Sequence, residues 1–158
     1  TTKKGKTMSK NKKCADLVQE KYQDTLKDYQ NASNYFDQDE ETREPNEDYE
    51  GYDSFFDYVN QTGLSFDFVS ANTSTNQKCG YWRFQMSWGG PSDEFRIYTD
   101  HDKNINYIEY WYMDWFDGAS IRVNDDVIYN ICNMFLECSE HPEPYEYYSE
   151  EDELGEYA

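Results

Sequence analysis

The spacing of hydrophobic residues predicts two helices in the first 62 positions. Over residues 14–36, apolar side chains recur near a helical period, and no glycine or proline interrupts them. The imperfect apolar stripe of this segment consists of Leu17, Val18, Lys21, Leu26, Tyr29 and Phe36. We therefore predict an N-terminal helix at 14–36. A second helix is predicted at about 52–62, because Gly63 follows at a position typical of helix C-termini.

Between residues 64 and 123, apolar and polar residues alternate, which is typical of β-strands. The alternation predicts strands at 64–69, 81–88 and 94–99. A long strand with large apolar or aromatic residues on both faces is predicted at 105–116, and a fifth strand at 119–123. In the second strand, four side chains are predicted to be buried against a helix: Trp82, Phe84, Met86 and Trp88. Asp117 and Gly118 form a hairpin signal between the last two strands.

Asn124 is a favourable N-cap residue and predicts a helix that packs on the sheet. The predicted buried face of this helix consists of Val127, Ile131, Met134, Phe135 and Cys138. Pro142 and Pro144 end it. The predicted fold class is α+β: an antiparallel meander of four to five strands packed by one or two helices, with an N-terminal helix and an acidic C-terminal tail.

The charge distribution divides the chain into five predicted parts. The 158 residues include 33 acidic and 14 basic ones, which gives a net charge of −19, and six of the basic residues lie in the first 13 positions. The predicted parts are a basic disordered arm at 1–13, the N-terminal helix at 14–36, an acidic linker at 37–51, an α+β domain at 52–138 and an acidic tail at 139–158.

The net charge argues against two classes of partner. A surface this acidic repels nucleic-acid phosphates and anionic membranes, so we expect no direct binding to either. No apolar run reaches the roughly 20 residues that a membrane helix needs, and no signal peptide is visible. We therefore expect a cytoplasmic protein whose four cysteines are reduced thiols.

Catalytic and metal-binding signals are weak in this sequence. Neither His101 nor His141 lies in a recognisable catalytic setting, so we predict a non-enzymatic protein without a cofactor. Oxygen-bearing side chains alternate at 100–106, as in the first half of a calcium loop. The loop's glycine and final glutamate are missing, and a hairpin turn explains the same residues, so no metal site is predicted.

The acidic residues are bunched, and the bunching predicts a surface that imitates DNA. Residues 14–158 contain 33 acidic and 8 basic residues, and their charge of −25 matches about 12 base pairs of duplex. The acids predicted to contact a basic DNA-binding protein are Asp37, Asp39, Glu40, Glu41, Glu44, Glu47, Asp48, Glu50, Asp53, Asp57, Glu140, Glu143, Glu146, Glu150, Glu151, Asp152 and Glu153. An exposed aromatic contact face is predicted at Tyr98, Tyr110 and Tyr112, since tyrosine is favoured at protein interfaces.

Two strings in the predicted strands carry a resemblance. GYWRFQMSWGGPSDEFR at 80–96 and IEYWYMDWFDGA at 108–119 resemble small uncharacterised proteins of bacteriophages and conjugative plasmids. The acid-rich and tyrosine-rich composition is similar, more loosely, to phage anti-restriction and anti-CRISPR proteins that mimic DNA. The resemblance implies a mobile-element protein in the cytoplasm of a bacterial host, and no functional residue is carried over by it.

These observations predict a non-enzymatic inhibitor that mimics DNA. Its target would be a DNA-binding protein of host defence, either a restriction–modification enzyme or a CRISPR effector. The alternative is an immunity-type or regulatory protein that caps a basic toxin or enzyme. A cap would use a compact patch, such as an aromatic sheet face, whereas a DNA mimic would use charge spread over tens of ångströms.

Overall fold

The structure, a computed structural model, describes residues 12–148. The elements in chain order are α1 (Cys14–Asp37), a 3-10 turn (Glu47–Tyr49), α2 (Phe55–Thr62), β1 (Ser65–Val69), β2 (Tyr81–Ser87), β3 (Ser92–Thr99), β4 (Ile105–Asp114), β5 (Asp117–Val123), α3 (Asp126–Glu137) and α4 (Pro144–Tyr147). The five strands form an antiparallel sheet in the order β1-β2-β3-β4-β5. The predicted α+β class, with its N-terminal helix and antiparallel meander, is confirmed.

The hydrophobic core lies between one face of the sheet and the helices α1, α2 and α3. Phe135 of α3 lies near its centre, because its ring is 4.8 Å from the rings of both Phe66 and Phe84. The other buried core residues include Val18, Tyr22, Leu26, Val59, Trp82, Phe95, Ile97, Ile108, Tyr110 and Ile131. Burial of each large apolar side chain contributes roughly 1.5–3 kcal/mol to folding, which fixes the helices on this face.

Two hydrogen bonds fix α1 across the sheet. At its start, the backbone N–H of Cys14 donates to Asp117 Oδ2 at 2.7 Å. Farther along, the hydroxyl of Tyr22 donates to the carboxylate of Asp125, just before α3. Burial, together with this bond, raises the pKa of Tyr22 well above its usual range. Together with the burial of Val18, Leu26 and Tyr29, the two bonds leave the opposite side of α1 facing solvent.

The second strand ends one residue earlier than predicted. Trp82 and Phe84 are buried as predicted, and the indole of Trp82 donates to Thr99 Oγ1 at 3.2 Å. Met86 is only half-buried, and Trp88 is 79% exposed, so the prediction of a buried Trp88 is wrong. The pairing of β2 with β3 shifts register between Gln85 and Ser87, which ends the alternation before it reaches Trp88.

The hairpin between β4 and β5 also differs from the prediction. Asp114 pairs with Asp117, so Trp115 and Phe116 form the turn, whereas Asp117 and Gly118 belong to β5. Trp115 has a positive φ of 55°. The predicted strand at 105–116 was therefore too long by two residues, because the pairing across the hairpin decides where the chain reverses.

The last long helix begins after Asn124, with Asp125 as its N-cap. Its buried residues are Ile128, Ile131, Cys132, Phe135 and Leu136. Ile131 and Phe135 were predicted correctly, but Val127 and Met134 are half-buried and Cys138 is exposed. The face that meets the sheet is thus rotated by about one residue from the predicted face.

Gly63 ends α2 for a different reason from the predicted one. Its φ of −78° is open to any residue, so a left-handed cap does not explain the glycine. A Cβ atom at this position would lie 2.5 Å from the ring of Phe84, and only glycine allows this close approach. Gly63 therefore lets the end of α2 pack tightly against the core.

The chain after α3 returns to the sheet edge. Gly80 donates its N–H to the carbonyl of Tyr147 at 2.7 Å, and the buried ring of Tyr147 stacks on His101. No disulfide joins any of the four cysteines, all of which lie within the described residues. Within residues 12–148, the structure has no helix that is long and apolar enough to cross a membrane.

Candidate functional site: an acidic ridge on the helical side

The solvent side of α1 carries a line of carboxylates that sequence reasoning missed. Asp16, Glu20, Asp24 and Asp28 are all exposed and follow one another at intervals of four residues. Side chains at this spacing lie about 5–6 Å apart along a helix. The signal was present in the sequence as an i, i+4 repeat of acids inside the predicted helix, although a count of charges per segment does not reveal it.

A second group of exposed acids follows directly at the C-terminal end of α1. It consists of Asp37, Asp39, Glu40, Glu41, Glu44, Glu47, Asp48, Glu50 and Asp53. The segment packs back on α1, because the ring of Tyr49 lies 4.7 Å from that of Tyr35 and 5.7 Å from that of Phe36. This aromatic packing joins the predicted acidic linker to the helix, so that its carboxylates are held at the C-terminal end of α1.

The only basic side chain of residues 37–57 turns onto the same rings. The Arg43 guanidinium lies 4.6 Å from the ring centre of Tyr35 and 5.3 Å from that of Phe36. This cation–π stacking holds residues 37–53 against the end of α1. The neighbouring carboxylates consequently keep their negative charge uncompensated at the surface.

Backbone turns give several of these acids fixed positions. Asp39 Oδ1 accepts the N–H of Glu41 at 2.9 Å, and Asn46 Oδ1 accepts the N–H of Asp48 at 2.9 Å. Asp57, which is half-buried, accepts a hydrogen bond from the Gln61 amide at 2.7 Å, and this bond holds the pKa of the Asp57 carboxyl below its usual range. Asp57 therefore stabilises the first turn of α2 and does not belong to the exposed acidic surface.

We call the thirteen exposed acids of α1 and of residues 37–53 the acidic ridge. Residues 14–57 contain 14 acidic and 3 basic residues, a net charge of −11. The 24 residues of α1 span about 36 Å, which corresponds to about ten base pairs of duplex. Neutral polar residues, among them Asn31 and Asn34, separate Asp28 from Asp37.

The predicted C-terminal acids lie elsewhere. Glu140 and Glu143 are exposed, but Glu146 is half-buried and accepts a hydrogen bond from the Ser70 hydroxyl at 3.1 Å. Ser70 directly follows β1, whereas α2 directly precedes this strand, so Ser70 and α2 lie at opposite ends of β1. Glu150, Glu151, Asp152 and Glu153 lie outside the described residues. We therefore leave the C-terminal group out of the acidic ridge.

The predicted aromatic contact face is wrong for two of its three residues. Tyr110 is fully buried and Tyr112 is only 7% exposed, because both side chains point to the sheet face that α1 covers. Tyr98 is half-buried on the opposite face, with its ring 4.5 Å from that of Tyr107. Burial raises the pKa of Tyr98 well above its usual range.

That opposite side of the sheet, which we call the outer face, has a balanced charge. One row across the five strands joins Asp67, Arg83, Arg96, Glu109 and Arg122. Arg83 pairs with Asp67 at 2.7 Å, and Arg96 pairs with Glu94 at 3.0 Å. Three of the four arginines in the chain therefore lie on this face.

The calcium-like segment 100–106 is a hydrogen-bonded turn. Asp100 accepts the backbone N–H groups of Asp102 and Asn104, both at 2.9 Å. Nearby, Nδ1 of His141 lies 3.1 Å from the carbonyl oxygen of His101. Among the described residues, no three His, Cys, Asp or Glu side chains are grouped so that they could hold a metal ion.

Comparisons of the chain with protein-family models, with curated proteins and with solved structures find no match.

Proposed function

We propose that the protein is a DNA-mimicking inhibitor that occupies the DNA-binding channel of a restriction–modification enzyme or a CRISPR effector. The acidic ridge is the observation that carries this proposal. On α1 it presents four carboxylates, from Asp16 to Asp28, at intervals close to the spacing of phosphates along one strand, over about 18 Å or five base pairs of duplex. Residues 37–53 add nine more exposed carboxylates at the C-terminal end of the helix. A basic channel that binds phosphates would bind this row of charges.

The rigidity of the ridge also supports the proposal. Carboxylates on a long helix that is anchored to the core keep their spacing when they bind, so little conformational entropy is lost. The segment at 37–53 is held to α1 by Tyr35, Phe36 and Tyr49. A charged but unstructured segment would lose more entropy on binding than this surface does.

A competition experiment tests the proposal. A labelled DNA duplex bound to each member of a panel of restriction enzymes and CRISPR effectors is titrated with the full chain at low salt. We expect displacement of the duplex from at least one effector, with an affinity that falls steeply as salt rises. The proposal would be contradicted if the chain displaced DNA from no member of the panel.

Matched charge variants locate the binding surface in the same assay. Replacing Glu20 by Gln and Asp24 by Asn removes two ridge charges, whereas Asp102→Asn with Glu137→Gln removes two exposed charges elsewhere. Because each interfacial charge contributes about 0.5–1 kcal/mol, we expect the ridge pair to weaken displacement about fivefold to thirtyfold. The control pair should weaken it by less than about twofold, and equal losses would show that only the total charge matters.

A further inference from the structure

Three large aromatic side chains project into solvent at one end of the sheet. Trp88 follows β2, and Trp115 and Phe116 form the turn between β4 and β5; Trp115 is 87% exposed, and Phe116 is fully exposed. We call these three residues the aromatic tip. Their loops are neighbours because β3 pairs with β4, with Ser92 opposite Met113. A cavity of about 390 Å³ lies between them, lined by Trp88, Gly89, Gly90, Ser92, Met113 and Trp115.

The conformation at Trp115 does not serve the stability of the fold. Its φ of 55° lies in the left-handed region, where glycine or asparagine is favoured over a bulky residue. Because Trp115 is 87% exposed and Phe116 is fully exposed, burial of these rings contributes little to stability. A strained, exposed aromatic turn is a reason to look for a contact that the turn makes with another molecule.

The rim of the cavity has the chemistry of a site for a cation. A Cβ atom at Gly90 would lie 3.4 Å from the indole nitrogen of Trp115 and 3.6 Å from Asp114 Oδ1. Because Gly90 has no side chain, an incoming group at this point can reach both the indole and the carboxylate. The carboxylate attracts a cation through its charge, and the indole attracts one that lies over the face of its ring.

The outer face of the same sheet already contains such an arrangement. There the guanidinium of Arg96 lies 4.0 Å from the ring centre of Trp111, and its Nε lies 3.0 Å from a carboxylate oxygen of Glu94. Trp115 and Asp114 would offer the same two groups to a guanidinium from outside. The planar guanidinium suits this site better than a lysine ammonium, because it stacks on an indole while it donates to a carboxylate.

The aromatic tip is continuous with the acidic ridge. Asp117, next to Phe116, accepts the N–H of Cys14 at 2.7 Å, and the ridge begins two residues later at Asp16. We propose that the cavity between Trp88 and Trp115 receives an arginine side chain of the basic protein that the ridge attracts. This inference rests on the proposed function for the basic character of the partner. The ridge gives long-range attraction, and the tip gives a short-range anchor.

Indole N–H signals in NMR spectra of the full-length, nitrogen-15-labelled chain test the inference. The probe is a short peptide whose only charged group is one arginine, and its control is the same peptide with citrulline in place of arginine, which keeps the shape without the charge. We expect saturable shifts of the Trp88 and Trp115 signals with the arginine peptide and none with citrulline. The Trp82 signal should not move, because this indole is buried and bonded to Thr99. A lysine peptide that binds as well as the arginine peptide would overturn the choice of arginine.

Variants separate the anchor from the fold. Trp115→Gly suits the positive φ and should keep the melting temperature at or above the wild-type value, yet weaken arginine-peptide binding about fivefold. Tyr145→Ala, which removes another exposed aromatic ring, should leave peptide binding unchanged. Shifts of ridge amides without shifts of Trp88 and Trp115 would overturn this inference and leave DNA mimicry intact. Shifts of the two indoles in a protein that displaces no DNA would instead remove the proposed function alone.

Discussion

The acidic ridge and the outer face lie on opposite sides of the sheet, and they differ in whether their carboxylates are paired with basic side chains. Both ion pairs of the described residues, Arg83 with Asp67 and Arg96 with Glu94, lie on the outer face. On the ridge side, Arg43 stacks on aromatic rings instead of pairing with any of the thirteen ridge acids. The same chain thus neutralises its carboxylates on one surface and leaves them uncompensated on the other.

This difference shows that the net charge of −19 is segregated. An acid excess that served only solubility would leave carboxylates on both surfaces without opposite charges. Here the like charges at Asp16, Glu20 and Asp24 repel one another along one helix, which costs stability. This segregation supports the proposed binding role of the ridge, and the following predictions test the contrast between the two surfaces.

The largest predicted effect concerns the core that holds the two surfaces apart. Phe84→Ala should lower the free energy of unfolding by about 3–5 kcal/mol, because the ring is buried against Phe135 and Phe95. Tyr98→Ala on the outer face should cost only about 1–2 kcal/mol, since its ring is half-buried. Urea denaturation measures both values, and equal losses would contradict the placement of the core on the helical side.

The next effect tests whether the outer face depends on its charge pairing. Arg96→Ala should cost about 2–3 kcal/mol, because Glu94 is only 4% exposed and would lose its partner, and because stacking on Trp111 would be lost. Adding Glu94→Gln should recover part of that loss, since a neutral amide is less costly to leave unpaired. Denaturation of the double variant checks this, and losses that simply add would argue against a coupled pair.

Neutralising the ridge should change stability in the opposite direction. Glu20→Gln with Asp24→Asn should raise the free energy of unfolding by about 0.5 kcal/mol at low salt, because like charges one turn apart repel each other. In 1 M salt the difference should vanish, since the screening length falls to about 3 Å. Denaturation at the two salt concentrations measures the effect, and a destabilised variant would mean that these carboxylates have stabilising partners.

The smallest effect is a pH dependence at the junction of the ridge and the aromatic tip. The hydrogen bond from the Cys14 N–H lowers the pKa of Asp117 below its ordinary value of 3.8. The bond therefore stabilises the fold above that value, and its contribution is lost as pH falls through the lower pKa of the folded state. Melting curves of wild type and Asp117→Asn should differ at neutral pH and converge as the pH falls below the ordinary value of 3.8, through the lower pKa of the folded state. A difference that stays constant with pH would contradict this role.

Local periodicity was sufficient to predict the helix at 14–36 and the meander, since both patterns repeat within one element. The errors arose where pairing between residues far apart in the sequence decides the structure. Trp88 continues an alternating pattern and Trp115 continues a run of large apolar residues, but a register shift and the Asp114–Asp117 pair end the two strands before them. Tyr110 and Tyr112 sit in a strand with large residues on both faces, and only the docking of α1 decides which face is buried.

The candidate site was predicted in part. The acids at 37–53 are exposed as the DNA-mimic hypothesis requires, whereas Asp57 is tied to the start of α2. The four acids of α1 could have been found by applying the helical period to acidic residues as well as to apolar ones. The joining of these two groups could not, because it depends on contacts of Tyr49 with Tyr35 and Phe36.

The central claim is tested most directly by an NMR footprint of the chain in complex with an effector from which it displaces DNA. Amide signals of the labelled chain are compared with and without the effector, at the salt concentration where DNA competes. We predict that the strongest changes fall in residues 14–53, with the outer-face residues Arg83, Arg96 and Arg122 unchanged. Changes confined to the outer face, with 14–53 unaffected, would contradict DNA mimicry by the acidic ridge and favour a protein that caps its target with a compact patch.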